Sequence, residues 1–147
     1  MSASLLAEKL VPILPGARLF GVGDADDIPT HQGAYVLMIQ LKKPMQVVYA
    51  QVNDAFLPAG WYLYAGNAGG PGGLRARVSR HLRTEKKPRW HVDQLTIAAE
   101  TSALVFAEKN ECGLIVDLLA SSQFTTPLPG FGSSDCRACE SHLLAIK

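Results

Sequence analysis

The chain has 147 residues, 48 % of them hydrophobic and 18 % charged, with a net charge of +1. That is enough chain for one domain with a real core, and the balance excludes a disordered chain or a generally cationic coat protein. It contains 3 cysteines, an odd number that argues against a secreted disulfide framework.

The first residues carry their charges, Glu8 and Lys9, inside the apolar stretch, unlike a signal peptide. No apolar run is long enough to span a bilayer. The expected location is cytoplasmic, with no membrane partner. Leu5, Leu6, Leu10, Ile13 and Leu14 recur near helical spacing and predict a helix over 3–14, with Ser4 at its start and Pro15-Gly16 at its end. The Gly, Pro and Asp density over 15–32 predicts an irregular arm. The chain thus divides into a helix and arm, 1–32, and a main domain, 33–147.

Ala34 to Ile39 forms an apolar run, and the first strand is expected over Gly33 to Leu41. Lys42-Lys43-Pro44 predicts a turn. The alternating, valine-rich stretch Met45 to Val52 is expected to pair back as the second strand, and Trp61 to Ala65 follows as the third. Three strands joined by short links favour an antiparallel meander. Then come a basic helix near 73–84, a short helix within Trp90 to Ala99, a strand from Thr101 to Ala107 and a helix from Asn110 to Ser121. The segment from Pro127 to Lys147 begins as a loop and ends in an apolar strand. The expected class is α+β: a small three-stranded antiparallel central sheet flanked by helices, with an N-terminal helical arm and a C-terminal strand.

Charge is concentrated. Arg75, Arg77, Arg80, Arg83, Lys86, Lys87 and Arg89 are seven of the 14 basic residues, directly after the glycine-rich turn Gly69 to Gly73. A local cationic surface of this kind is a candidate phosphate or nucleic-acid site, against the plainer reading of a solvated helix face. The turn permits close backbone approach and precedes a helix N-terminus, which can itself bind anions. It has no Gly-Lys-Ser/Thr ending and is not a P-loop.

On that helix Leu74, Val78 and Leu82 form an apolar stripe, with His81 almost within it and Arg77 on its flank one turn earlier. Both should stand at the core margin, where a cleft would be. Arg75, Arg80 and Arg83 point elsewhere, toward solvent or phosphates; Lys86, Lys87 and Arg89 extend the basic surface toward Trp90, which can stack on a base or join the core. On the 110–121 helix Leu114, Ile115, Leu118 and Leu119 define the buried face, and Glu111 stands at its centre in the first turn. A carboxylate over a core calls for a partner, and a divalent cation is one candidate; support of its own helix is the other.

Gly33-Ala34-Tyr35, Tyr64-Ala65-Gly66, Arg77, His81 and Glu111 occur in an order that resembles the GIY-YIG nuclease superfamily over residues 33–120. Trp90-His91-Val92-Asp93, Glu111-Cys112, the Pro129 to Cys136 segment and Ser141-His142-Leu143 resemble a small branch of that superfamily, found alone or joined to DNA-repair glycosylases. Both central isoleucines of the motifs are alanine here, Ala34 and Ala65. The family's late asparagine has no obvious counterpart, and Ser133, Ser134 or Asp135 are candidates for its role.

The resemblance implies magnesium- or manganese-dependent endonuclease activity on DNA, including repair or branched intermediates. It implies that Tyr35 takes or delivers a proton, Arg77 braces phosphate, Glu111 holds the metal, Tyr64 positions phosphate or water, and His81 relays or holds a proton. Two alternatives remain: a nucleic-acid-binding module without cleavage, and a nucleotide or phosphate-ligand binder using the glycine turn. Cys112, Cys136, Cys139 and His142 have spacing compatible with structural zinc, although buried unreactive thiols are the default.

Overall fold

In the computed structural model, residues 1–107, 109–132 and 139–147 are described. They form an α+β arrangement around one antiparallel sheet. Helix α1, Ala3–Leu10, starts earlier than Ser4, because the Ser2 side chain accepts from Leu5 N at 3.2 Å. It buries Leu6 and Leu10. The following arm is more ordered than its composition predicts: strand β1, Arg18–Phe20, precedes a 3-10 helix over Val22–Asp27.

Strand β2, Gly33–Leu41, matches its expected span. Its near-continuous apolar run reflects a central position with both faces covered. The expected meander does not form. Strand β3, Met45–Tyr49, pairs with β4, Val52–Leu57, as a separate two-stranded hairpin. Gln94 fastens this hairpin by accepting from Val48 N at 2.9 Å and donating to Val48 O at 2.7 Å.

The partners of β2 are β5, Gly60–Ala68, and β6, Glu100–Phe106. With β7, Phe124–Thr125, and β8, Leu143–Ile146, the order is β1-β6-β2-β5-β8-β7. Among the described residues the main sheet therefore has six strands rather than three. The arm contributes an edge by pairing β1 with β6, and the C-terminal strand extends the other side by pairing with β5.

The sheet separates two apolar layers. Tyr35, Leu37 and Ile39 face one, with Leu74, Val78 and Leu82 from helix α2, Gly73–Leu82, and Leu95 from helix α3, Asp93–Ala98. Ala34, Val36 and Met38 face the other, with Leu6 and Leu10 of α1 and Leu114, Ile115 and Leu118 of helix α4, Glu111–Ala120. This alternation follows the period-two geometry of a strand. Each fully buried aliphatic side chain contributes roughly 1.5–3 kcal/mol. Helix α4 is capped by Asn110, whose side chain accepts from Gly113 N at 2.8 Å. No helix of the described residues is long and apolar enough to cross a membrane.

Candidate active site

Strand register places the two motif tyrosines together. Tyr35 pairs with Gly66, while Tyr64 pairs with Leu37. Because residues two apart share a face, Tyr35 and Tyr64 stand diagonally on the α2 side of the sheet. Gly66 leaves the space that the Tyr35 ring fills: a Cβ there would lie 2.5 Å from Tyr35 Cζ and 2.8 Å from Cε2.

Helix α2 supplies the next two groups. His81, only 1 % exposed, lies in the apolar stripe as its spacing predicts. Its Nε2 is 2.8 Å from the Tyr35 hydroxyl oxygen. Its Nδ1 is buried with no hydrogen-bond partner. Of the two neutral tautomers, the one with hydrogen on Nε2 leaves only a lone pair unsatisfied, which is less costly than an orphaned N–H. In that arrangement His81 donates to Tyr35 and the phenolic proton is available to the cavity. Burial is the main reason the His81 pKa falls to about 3, helped by the neighbouring cations Lys86, Arg77 and Arg80 against the pull of Asp93.

Burial also pushes the Tyr35 pKa well above the ordinary phenol value; Tyr64 and Glu111 add to the rise, while the Arg77 charge and hydrogen bond oppose it. Tyr64 is pushed up to about 12, first by burial, then by Glu111. Both are neutral phenols in the resting site. Desolvation outweighs Arg77, so the protein alone does not favour the Tyr35 phenolate.

Arg77 is half-buried at the cavity wall and donates from Nη1 to Asn67 O at 3.2 Å. Its guanidinium carbon lies 4.5 Å from the centroid of the Trp90 ring. Arg80 and Arg89 also lie over this ring, at 4.4 and 5.1 Å. Thus Trp90 is half-buried and collects three guanidinium groups, an arrangement consistent with cation–π attraction. Glu111 enters from α4, on the opposite layer, yet lines the same cavity.

Tyr35, Tyr64, Arg77, His81 and Glu111 all line this opening of about 460 Å³. Its wall also includes Tyr49, which no motif singled out, and Trp90, His91, Gly130 and Gly132, which belong to the branch motifs but carried no assigned place in the cavity. Phe131 packs edge-on to Tyr64, with centroids 6.1 Å apart, and Tyr49 donates to Pro129 O at 2.9 Å. The Gly130-Phe131-Gly132 sequence was visible as a motif; its use as a wall was not. Ser133, Ser134, Asp135 and Cys136 lie outside the described residues.

The basic segment divides into internally engaged and outward groups. Arg75 donates from Nε to Ile28 O at 2.8 Å. Arg80 binds Asp93 through two hydrogen bonds, Nη1 to Oδ1 at 3.0 Å and Nη2 to Oδ2 at 2.9 Å. Burial alone would raise the Asp93 pKa, but Arg80 and the Trp90 and Arg89 amides outweigh it and hold the group at about 2. Lys86 donates to Arg80 O and His81 O at 3.1 and 2.9 Å, closing the end of α2. Arg83, Lys87 and Arg89 are exposed.

The glycine turn does not provide the expected anion site at the start of α2. Leu74 N donates to His31 O at 2.9 Å, and Arg75 N donates to Pro29 O at 2.8 Å. These bonds consume helix-end donors that a phosphate would need. Gly73, at φ +58°, instead allows the helix to approach the 29–31 backbone; a Cβ there would lie 2.7 Å from the His31 carbonyl carbon.

No curated protein and no solved structure matches the chain in the corresponding comparisons. A family model described as "Domain of unknown function DUF123" matches residues 34–147, the span containing every side chain that lines the cavity. The chain belongs to the DUF123 family.

Proposed function

We propose that the chain is a GIY-YIG-like, metal-dependent endonuclease acting on DNA, including repair or branched intermediates. The observation that carries the reading is the convergence of Tyr35, Tyr64, Arg77, His81 and Glu111 on one cavity, although they come from two strands and two helices. Their chemistry fits a phosphodiester: a cationic planar donor, two phenols, a neutral imidazole and a carboxyl side chain.

Arg77 offers the geometry to brace a phosphate through two parallel hydrogen bonds, while its contact with Trp90 limits the conformations it samples. Tyr35 enters as a neutral phenol. His81 holds its oxygen and aims its proton at the cavity. Tyr64, braced by Phe131, positions a phosphate oxygen or water. The acidic side chain of Glu111 suits magnesium or manganese, which often takes only one or two protein carboxylates and keeps several waters. Such a cation supplies positive charge favouring phenolate and stabilises the leaving oxygen when bound.

The assay is nicking of single-stranded, double-stranded and branched DNA with Mg²⁺ or Mn²⁺. Wild type should cleave, while Tyr35→Phe, Arg77→Ala and Glu111→Ala should each lose cleavage with their circular dichroism preserved. Absence of cleavage on every substrate, or retention in all three variants, refutes the enzyme reading. Exposed Arg83, Lys87 and Arg89 also support a second reading, a binding module without cleavage. Salt-sensitive DNA binding with no nicking under either metal selects it. The occupied N–H groups at α2 disfavour a nucleotide binder built on the glycine turn.

A further inference from the structure

The start of α4 and the segment preceding β8 bring together a second group of metal-type ligands. One ligand atom from each of Cys112, Cys139 and His142 lies within 4.8 Å of the others. Cys112 Sγ is 3.9 Å from His142 Nε2. Cys139 is 8 % exposed and His142 only 2 %.

We propose that, in the reduced protein, Cys112, Cys139 and His142 bind one structural Zn²⁺ ion. Two thiolates neutralise its charge, and sulfur with imidazole is a ligand set suited to zinc. Zinc–ligand lengths near 2.3 Å for sulfur and 2.0 Å for nitrogen require donor atoms about 3.5–3.8 Å apart in a tetrahedral site. The present 4.8 Å limit therefore needs at most about 1.3 Å of contraction, within reach of side-chain rotation. Water or another side chain completes the fourth position. Cys136 lies outside the described residues and is not needed for the proposal.

Cys112 is disulfide-bonded in this structure. A disulfide sulfur is not a thiolate ligand, so zinc binding and this bond exclude one another. A thiol or phosphine reductant supplies two electrons and is itself oxidised; with two protons, the S–S bond becomes two thiols. Zinc binding then releases one proton from Cys112 and one from Cys139. The site joins the first turn of α4 to the C-terminal segment, immediately beside Glu111. Its existence does not depend on the nuclease reading, because it is read by metal content and ligand spectroscopy.

The test uses the full chain, reduced with a non-thiol phosphine, loaded with Zn²⁺ and exhaustively dialysed. One equivalent of zinc should remain. Co²⁺ substitution should give a sulfur-to-cobalt charge-transfer band and visible bands of tetrahedral cobalt. Cys139→Ser should lower the charge-transfer intensity about twofold by removing one of two thiolates, and His142→Ala should weaken zinc retention at least tenfold. Oxidised protein with the Cys112 disulfide intact should retain no zinc at this site. Failure of reduced wild type to retain zinc overturns the proposal, as does a cobalt spectrum without sulfur ligation. The wild-type measurements decide the matter even where a variant fails to fold.

Discussion

Acid should destabilise the protein through His81 before the Asp93 pair begins to titrate. The unfolded imidazole takes a proton near its ordinary pKa of 6.5, whereas the buried ring takes one at about 3. Protons therefore bind the unfolded state first. The contribution is fully present above pH 6.5 and is lost as pH falls toward 3. From pH 7 to pH 5, this one group should cost about 2 kcal/mol, approaching about 1.4 kcal/mol per pH unit at the lower end. Over that interval the result depends only on the folded value lying well below 5. Asp93, held at about 2, changes protonation below the interval. His142 is also lowered by burial and shifts stability in the same direction, so a comparison is needed to isolate His81. Urea denaturation at pH 7, 6 and 5 should show a steeper acid loss in wild type than in His81→Gln, by about 2 kcal/mol across the range. The corresponding extra fall in Tm is about 4–8 °C. Equal pH dependence in the two proteins, or NMR titration of His81 near its ordinary value, refutes this account.

Gly66→Ala should displace Tyr35 and disrupt its hydrogen bond to His81, because the added Cβ overlaps the phenol ring; the expected cost is about 1–3 kcal/mol by denaturation, with a changed Tyr35 ring resonance by NMR. Unchanged stability and an unchanged resonance contradict it. Asp93→Ala should cost about 3 kcal/mol, because Arg80 and the Arg89 and Trp90 amides lose a buried acceptor; a loss below about 0.5 kcal/mol refutes the pair's structural role. Arg77→Lys keeps the charge but removes the planar fork, so nicking should fall at least about tenfold with a stability change below about 1 kcal/mol. Equal nicking by the two proteins removes bidentate phosphate bracing from the proposal.

The elements most legible in the sequence are those specified by local chemistry. The Ala34 to Ile39 run identifies β2, and Asn110 marks the start of α4. Leu74, Val78 and Leu82 identify the buried stripe of α2. Strand β1 is harder to see because three residues cannot establish an alternation; its order comes from pairing with β6. The same limit affects the hairpin. Met45 to Tyr49 reads as a strand, but its partner is Val52–Leu57, whose Asn53 and Asp54 interrupt an apolar signal, rather than β2. Strand order is a long-range property: β6 lies on one side of β2, and β5, which precedes β6 in sequence, lies on the other. Turns and periodicity do not encode that choice locally.

The site divides along the same physical line. Angular spacing on α2 predicts that Arg77 and His81 share a margin, and the periodicity of α4 directs Glu111 over a buried face. Those are local relations, and all three groups reach the cavity. Whether a donor or charge remains available depends instead on what the rest of the chain brings to it. Pro29 and His31 occupy N–H groups of α2, Asp93 engages Arg80, and burial raises the Tyr35 pKa against the pull of Arg77. The glycine turn thus serves close packing, while the phosphate-binding proposal rests on Arg77 at the opposite end of the argument. A residue's chemical type can be read from sequence; its unspent hydrogen-bonding capacity and its cost of desolvation are properties of the assembled fold.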